Sequence, residues 1–197
     1  MKNLLTLTFF FFSLIVSSQK FNRAYYKSTV VEVLGDLNKD KIQDKAIVKQ
    51  NLNDAAMPYC LEIYFGKSVS DFVFKTASFT IIAPETETEY YGNGFLGIKI
   101  ENGVLIIENE LLRGHFEYKF RFQNAKFELI GYTYAESDGR GRIYTTDFNL
   151  LTKYIDKKEE NYETNELISN THKKVAFSKL PNLENFNAEE LEYLINP

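Results

Sequence analysis

The chain has 197 residues, of which 44% are hydrophobic and 15% aromatic, and this composition excludes a disordered chain. Lys and Arg total 23 against 27 Asp and Glu, so there is no basic excess of the kind that binding to nucleic acid or an anionic membrane requires. The single cysteine, Cys60, excludes an internal disulfide, so stability must come from the core and from any bound metal.

The first predicted element is a secretory signal peptide over residues 1–18. Lys2 gives the start a positive charge, residues 4–16 are mostly apolar, and Ser17 and Ser18 are small residues before a cleavage site. The apolar run is too short to span a bilayer. We therefore expect cleavage after Ser18, export to the periplasm or the exterior, and no transmembrane segment in the mature chain.

Two predicted strands, 28–34 and 45–50, flank a loop rich in acidic and amide side chains. Oxygen atoms at alternate positions of such a loop suit Ca²⁺, which takes about six to eight hard oxygen ligands. The ligands that this spacing predicts are the side chains of Asp36, Asn38, Asp40 and Asp44 and the peptide carbonyl of Ile42. The sequence therefore predicts a calcium loop over 36–44, in which the ion has a structural role.

The loop departs from a helix-loop-helix calcium site at two positions. Lys41 stands where Gly usually permits the sharp turn, and Ile47 stands where a bidentate Glu would close the site. We expect Lys41 to adopt an unusual backbone conformation and the affinity for calcium to be lower as a result. The alternative is a solvated turn, in which the Asp and Asn side chains bind only backbone groups.

Residues 35–48, Gly-Asp-Leu-Asn-Lys-Asp-Lys-Ile-Gln-Asp-Lys-Ala-Ile-Val, followed by Leu-Glu-Ile-Tyr-Phe-Gly at 61–66, resemble one FG-GAP or VCBS-type repeat. This repeat is the strand-loop-strand unit of integrin-like β-propellers, and its Asp and Asn side chains hold Ca²⁺ between two strands. The resemblance implies that role for Asp36, Asn38, Asp40 and Asp44. A full propeller is not expected, because the loop occurs once and a blade needs about forty residues. Residues 98–149 are also similar to small exported proteins of Gram-negative envelopes.

Alternating side chains predict further strands after the loop. Residues 59–65 read as a half-buried strand with Cys60 on its polar face as a packing residue, and 72–82 as another strand. An acidic loop at 84–94 contains Glu85, Glu87 and Glu89. A hairpin over 96–108 then turns at Asn102 and Gly103, a pair that suits a two-residue turn.

The next hairpin carries an aromatic face. Phe116, Tyr118, Phe120 and Phe122 alternate with charged residues, and the chain turns over 123–126 and returns through 127–134. The apolar pattern changes parity at Ile130 and Gly131, which predicts a bulge. We therefore expect Tyr132 and Tyr134 to face the side opposite Phe127 and Leu129. Exposed tyrosines there could stack on sugars, although packing is the more common role.

The C-terminal part is expected to hold strands at 142–151 and 154–155, a charged connection at 156–163, a strand-like segment at 173–180 and a short helix. Asn187 is the predicted cap of this helix, and Leu191, Leu194 and Ile195 form its docking edge. We expect residues 19–155 to form the β domain, and residues 156–197 to pack on that same domain.

No catalytic motif accompanies these elements. The two histidines, His115 and His172, are far apart in sequence and have no further His or Cys ligands at the spacing of a zinc site. No nucleophile elbow, phosphate-binding loop or dinucleotide-binding fingerprint occurs. His115, near Glu108 and Glu110, is the best isolated acid-base candidate. Arg113 and Arg142, around the polar loop at 135–141, could bind an anion.

The sequence as a whole indicates an all-β fold of antiparallel meander sheets, arranged as a sandwich or a partial propeller, with one strand-calcium loop-strand unit and a C-terminal helix. The leading hypothesis is an exported, non-catalytic module that binds a protein or glycan partner, with Ca²⁺ fixing its architecture. One alternative is a secreted polysaccharide hydrolase that uses carboxylates such as Glu108, Glu110 or Glu136. Another is a purely structural envelope protein.

Overall fold

The computed structural model describes residues 22–84 and 94–196, in which eleven strands form two antiparallel sheets. The small sheet has the order β1-β2-β3-β4. Its strands are β1 (Ser28–Gly35), β2 (Asp44–Gln50), β3 (Tyr59–Gly66) and β4 (Phe72–Ser78). Two short 3-10 turns, Arg23–Tyr25 and Leu183–Asn185, and one α-helix, α1 (Ala188–Ile195), complete the regular structure of the described residues.

The large sheet has the order β11-β10-β9-β8-β7-β6-β5. Its strands are β5 (Phe95–Glu101), β6 (Val104–Leu111), β7 (Gly114–Gln123), β8 (Lys126–Ser137), β9 (Arg142–Asn149), β10 (Tyr154–Asn161) and β11 (Leu167–Lys174). Within each sheet, every strand pairs with its neighbour in the chain, so both sheets are antiparallel meanders. The predicted all-β antiparallel fold class with a C-terminal helix is confirmed.

Two parts of the prediction lie outside the described residues: the signal peptide at 1–18 and the glutamates Glu85, Glu87 and Glu89. Over residues 22–84 and 94–196, no helix combines the length and the apolar character needed to cross a membrane.

The two sheets share one hydrophobic core. Ile63 on β3, Phe120 on β7 and Leu129 on β8 are fully buried in it. Between the sheets, the rings of Phe65 and Phe122 meet edge to face with centroids 4.9 Å apart. The side of the large sheet that carries these residues is called the inner face below, and the opposite side is called the outer face.

The predicted hairpin turns are confirmed. Asn102 and Gly103 have φ values of 53° and 78°, and Asn124 and Ala125 have 51° and 61°. Two successive residues of positive φ give a turn whose twist matches that of the flanking strands. The Asn-Gly pair could be read directly from the sequence, whereas Ala125 carries a Cβ in the left-handed region.

Strand β8 contains the predicted bulge, but the consequence drawn for its tyrosines is wrong. The register between β7 and β8 shifts at Ile130, which is the extra residue. An extra residue reverses the alternation of the side chains that follow it. Since the sequence pattern also changes parity there, the two effects cancel. Tyr132 and Tyr134 therefore share the inner face with Phe127 and Leu129.

Strand β3 is buried on both faces rather than half-buried as predicted. Cys60 is 0% exposed and Glu62 is 1% exposed on the face opposite Ile63. Burial, followed by the charge of Glu62, raises the pKa of the Cys60 thiol to about 12, which fits an inert packing residue.

Two predictions in the C-terminal part are also wrong. Six residues of the predicted charged connection, Asp156–Asn161, belong to β10, because pairing with β9 and β11 lets the charged side chains alternate between the two faces. The strand predicted over 173–180 ends at Lys174, and the chain then leaves the sheet.

From Val175 the chain crosses the inner face of the large sheet. Phe177 packs on Phe148 with centroids 6.1 Å apart, and Phe186 packs on Tyr118 at 4.8 Å. The segment thus covers part of the sheet that the small sheet leaves open.

Helix α1 begins as predicted, because the side chain of Asn187 accepts a hydrogen bond from the backbone N–H of Glu189 at 2.9 Å. Leu191 is buried, and Leu194 and Ile195 pack against the core. The helix therefore docks on the sheet through its predicted apolar edge.

Candidate functional site

The loop between β1 and β2 is organised around the carboxylate of Asp36. Its Oδ1 accepts hydrogen bonds from the backbone N–H groups of Lys39 at 2.6 Å and Asp40 at 3.2 Å, and its Oδ2 accepts one from Lys41 at 2.9 Å. One side chain at the start of the loop thus fixes three successive peptide groups. This arrangement explains why an Asp stands at position 36: its carboxylate satisfies backbone N–H donors that have no strand partner.

The next two polar residues repeat the pattern. Asn38 Oδ1 accepts from the N–H of Asp40 at 3.0 Å, and Asp40 Oδ1 accepts from that of Ile42 at 2.8 Å. Asn38 Nδ2 also donates to Asp40 Oδ2 at 2.9 Å. Asp36, Asn38 and Asp40 therefore each accept hydrogen bonds from N–H groups of the loop itself.

Asp44 differs from the other predicted ligands because it is 0% exposed. Its Oδ2 accepts from the backbone N–H groups of Leu37 at 2.7 Å and Asn38 at 3.1 Å, and its Oδ1 accepts from that of Gly66 at 2.9 Å. Burial raises the pKa of Asp44 above its ordinary value, although the three N–H groups oppose this rise and the charge of Asp40 adds to it.

Lys41 adopts the unusual conformation that was predicted for it, with φ at 70°, and Lys39 is similar at 65°. Both values lie in the left-handed region, which costs a residue with a Cβ about 1–2 kcal/mol. The Lys41 position therefore has the backbone shape for which calcium loops use glycine.

The donor chemistry of the loop fits a hard cation. A carboxylate offers about four lone-pair sites, and the described contacts use three on Asp36 and two on Asp40. The residues that would hold Ca²⁺ are those that the sequence predicts: Asp36, Asn38, Asp40 and Asp44, with the carbonyl of Ile42. In the described part of the chain, no three His, Cys, Asp or Glu side chains form a group that could hold a metal ion, so the carboxylates of Asp36, Asp40 and Asp44 share one loop but do not converge on one point.

A buried ionic cluster that sequence reasoning missed lies on β3. Glu62 accepts from Arg23 Nε at 2.6 Å and from the Tyr64 hydroxyl at 2.6 Å, and it pairs with Lys49 Nζ at 2.7 Å. Burial raises the pKa of Glu62, but the hydrogen bonds from these three groups outweigh burial and hold it below its ordinary value. No local pattern marks Glu62, since its two cationic partners, Arg23 and Lys49, come from other elements.

A cavity of about 420 Å³ lies between α1 and the inner face of the large sheet. Its floor contains the rings of Phe116, Tyr118, Tyr132 and Tyr134. The ring centroid of Tyr118 lies 5.3 Å from that of Phe116 and 5.8 Å from that of Tyr132, so the rings form a continuous aromatic surface. This surface exists because the bulge in β8 keeps both β8 tyrosines on the inner face.

The rim of this cavity is polar. Lys157 Nζ donates to Asn196 Oδ1 at 2.6 Å, which joins β10 to the end of α1. Glu192 lies on the helix side, and its charge, after burial, contributes to the raised pKa of Tyr132, about 12. One cation and one carboxylate therefore border an aromatic floor.

Glu136, one of the three candidate catalytic carboxylates, is not brought together with the other two. Cross-strand register puts Glu108 and Glu110 on the outer face, whereas Glu136 lies on the inner face and accepts a short hydrogen bond from the Tyr134 hydroxyl. Lys99 Nζ donates to Glu108 at 2.7 Å. His115 lies on the outer face, opposite Glu110 in the register.

The arginines proposed as an anion site are partly occupied by the protein itself. Arg113 Nη1 donates to the carbonyl of Asp138 at 3.0 Å, and Arg142 Nε lies 3.7 Å from Glu159 Oε1. The Asp138 carboxylate accepts from the N–H groups of Arg140 and Arg142 and closes the loop. The loop is therefore held by its own contacts.

The fold defines an antiparallel all-β protein of two packed meander sheets with a short C-terminal helix. No family model, curated protein or solved structure matches the chain.

Proposed function

We propose that the protein is an exported, non-catalytic binding module, in which Ca²⁺ held by the 36–44 loop fixes the junction of β1, β2 and β3. The observation that carries the proposal is the loop geometry around Asp36. Asp36, Asn38 and Asp40 carry oxygen atoms at alternate positions and accept hydrogen bonds from the loop backbone, and Lys41 takes the left-handed conformation that this loop type requires.

The electrostatics of the loop favour a bound cation. Asp36, Asp40 and Asp44 bring three carboxylates into one short loop, and the pKa of Asp44 is raised mainly by burial, with a smaller contribution from the charge of Asp40. A divalent cation would offset this repulsion. Because Asp44 also contacts Gly66 at the end of β3, fixing the loop would fix three strands of the small sheet.

The positions of the carboxylates favour binding over hydrolysis. Glycoside hydrolases need two carboxyl groups about 5–10 Å apart that flank one bond. Glu136 lies on the opposite face of the large sheet from Glu108 and Glu110, and Glu108, the partner left for Glu110 on the outer face, is paired with Lys99. The inner-face cavity offers aromatic rings and a polar rim, which are features of binding sites.

The calcium part is tested by thermal unfolding of the mature chain in millimolar Ca²⁺ and in excess chelator. A ligand bound only by the folded state stabilises it by about 2.7 kcal/mol at a hundredfold excess over Kd. Ca²⁺ should raise the Tm of the wild type, and Asp36→Ala and Asp40→Ala should abolish the rise. Asp147→Ala, an exposed acidic control on β9, should keep it. Equal Tm values with Ca²⁺ and chelator would contradict this part.

Export is tested separately by expressing the full chain in a Gram-negative host. The mature protein should appear outside the cytoplasm with Gln19 at its N-terminus, as measured by intact mass and N-terminal sequencing. An uncleaved cytoplasmic product would contradict the export proposal and leave the calcium result unaffected.

A further inference from the structure

We infer that the cavity between α1 and the inner face is the binding site of this module and that its ligand is a short, neutral oligosaccharide. This inference rests on the proposed function, because it gives the binding module a site and a ligand class. At about 420 Å³, the cavity falls in the range of small-molecule sites, roughly 300–1,000 Å³.

The first argument is a hydroxyl group that opens into the cavity. Tyr118 lines the cavity, and its hydroxyl makes no hydrogen bond with any residue in 22–84 or 94–196. This oxygen is not one of the buried polar atoms without a partner, so it is accessible from the cavity. It can therefore donate to and accept from a ligand hydroxyl without giving up a protein contact.

The second argument is the shape of the floor. Phe116, Tyr118 and Tyr132 contact one another, and Tyr134 continues the surface along β8. The hydroxyl of Tyr134 is committed to Glu136, which fixes its ring. A sugar ring has an apolar C–H face that can lie on such rings and hydroxyl groups at its edge that can reach a polar rim.

The third argument is charge. The rim has Lys157 on β10 and Glu192 on α1, with the amide of Asn196 and the hydroxyl of Thr146 beside them. One positive and one negative group disfavour a strongly charged ligand of either sign. Together with the amide, they offer both donors and acceptors, which a polyhydroxylated neutral ligand can use simultaneously.

The two tyrosines for which the sequence suggests sugar stacking are thus part of the site for a different reason than exposure. Tyr132 and Tyr134 face inward, and α1 turns this part of the inner face into a cavity. The C-terminal helix supplies Glu192 and Asn196, so the site needs both the bulged strand and the docked helix.

The test uses the mature protein and a panel of neutral oligosaccharides, comprising cello-, xylo-, malto-, manno- and chito-oligosaccharides, with saturation-transfer NMR followed by calorimetry. At least one member should bind. Tyr134→Ala should weaken its binding about tenfold or more through the lost ring contact, and Tyr118→Phe should weaken it while leaving the Tm unchanged or higher. Tyr162→Ala, which removes a tyrosine that is 61% exposed outside the cavity, is the matched control and should bind as the wild type does.

The same titrations in Ca²⁺ and in chelator separate the two proposals. Sugar binding without any calcium effect on Tm would support this site and contradict the calcium loop. A calcium effect on Tm with no binding to any panel member at millimolar concentration would overturn this site alone. Sugar binding that Tyr134→Ala and Tyr118→Phe leave unchanged would also overturn it.

Discussion

The carboxylate of Asp44 accepts a hydrogen bond from the backbone N–H of Gly66 at 2.9 Å, joining residues 22 apart in the chain. The same carboxylate accepts from Leu37 and Asn38 at the start of the loop. Asp44 therefore connects the end of β1, the start of β2 and the end of β3. It holds the junction together through backbone groups alone, whether or not a cation is present.

Asp44→Asn should destabilise the protein by about 2–3 kcal/mol. The substitution replaces one acceptor oxygen with an amide N–H donor, which would face a backbone N–H donor. Urea unfolding at neutral pH measures this loss. Asp40→Asn is the control, since the Asp40 side chain is exposed and should change stability little in chelator. Equal stabilities of the two variants would contradict the role given to Asp44.

Lys41→Gly should strengthen calcium binding, because glycine takes a φ of 70° without the Cβ penalty. Lys41→Ala removes the same charge but keeps the Cβ, so comparing the two isolates the backbone effect. We expect the larger calcium-induced rise in Tm for the glycine variant. If alanine performs equally well, the charge of Lys41 rather than its conformation limits affinity.

Gly66→Ala should be strongly destabilising, whereas Gly97→Ala should be tolerated. A Cβ on Gly66 would lie 2.2 Å from the backbone oxygen of Gln43, but one on Gly97 meets no atom within 4 Å among the described residues. Overpacking against backbone costs about 1–3 kcal/mol or more. Differential scanning calorimetry of the two variants should show a lower Tm only for Gly66→Ala.

Glu62 should make stability depend on acid. Its pKa is lowered on folding, because the hydrogen bonds from Arg23, Lys49 and Tyr64 outweigh burial. Its stabilising contribution is therefore complete above the unfolded pKa, roughly 4.3, and is lost as pH falls through the lower folded pKa. Urea unfolding between pH 7 and pH 3 should show a smaller acid-dependent loss for Glu62→Gln than for the wild type.

At neutral pH the same Glu62→Gln substitution should lower the free energy of unfolding by about 2–3 kcal/mol. This loss is smaller than that expected for a fully buried ion pair, because the side chains of Arg23 and Lys49 are 35% and 25% exposed. Glu101→Gln, with a side chain that is 58% exposed, is the control and should unfold as the wild type does at every pH. A wild-type acid profile for Glu62→Gln would contradict this assignment.

Local features of this fold could be read from the sequence, because their causes lie within a few residues. Asn102 and Gly103 specify their turn, Asn187 caps its own helix, and the loop spacing predicts the left-handed conformation of Lys41. The bulge at Ile130 was also visible. The effect of the bulge on Tyr132 was not visible. The change in the apolar pattern and the extra residue each move this side chain to the other face of the sheet, so the two changes cancel.

Features that depend on distant pairing were not readable. Glu62 looks like a solvent-facing residue of a half-buried strand until Arg23 and Lys49 cover it, and Arg23 lies 39 residues away. The cavity needs Tyr118 and Glu192, which come together only when α1 docks on β7 and β8. In both cases the sequence shows which residues are present, but the tertiary contact that gives each residue its role is visible only in the folded structure.

Among the described strands, β11 has a partner on one side only, and every one of its eight residues is exposed. The register shift at Ile168 and the side chains of Lys173 and Lys174 disfavour the addition of a foreign strand to this edge. Protection of the large sheet against amide hydrogen exchange must therefore be graded. Deuterium should enter from this margin first, and the strands beneath the small sheet should retain their protons longest.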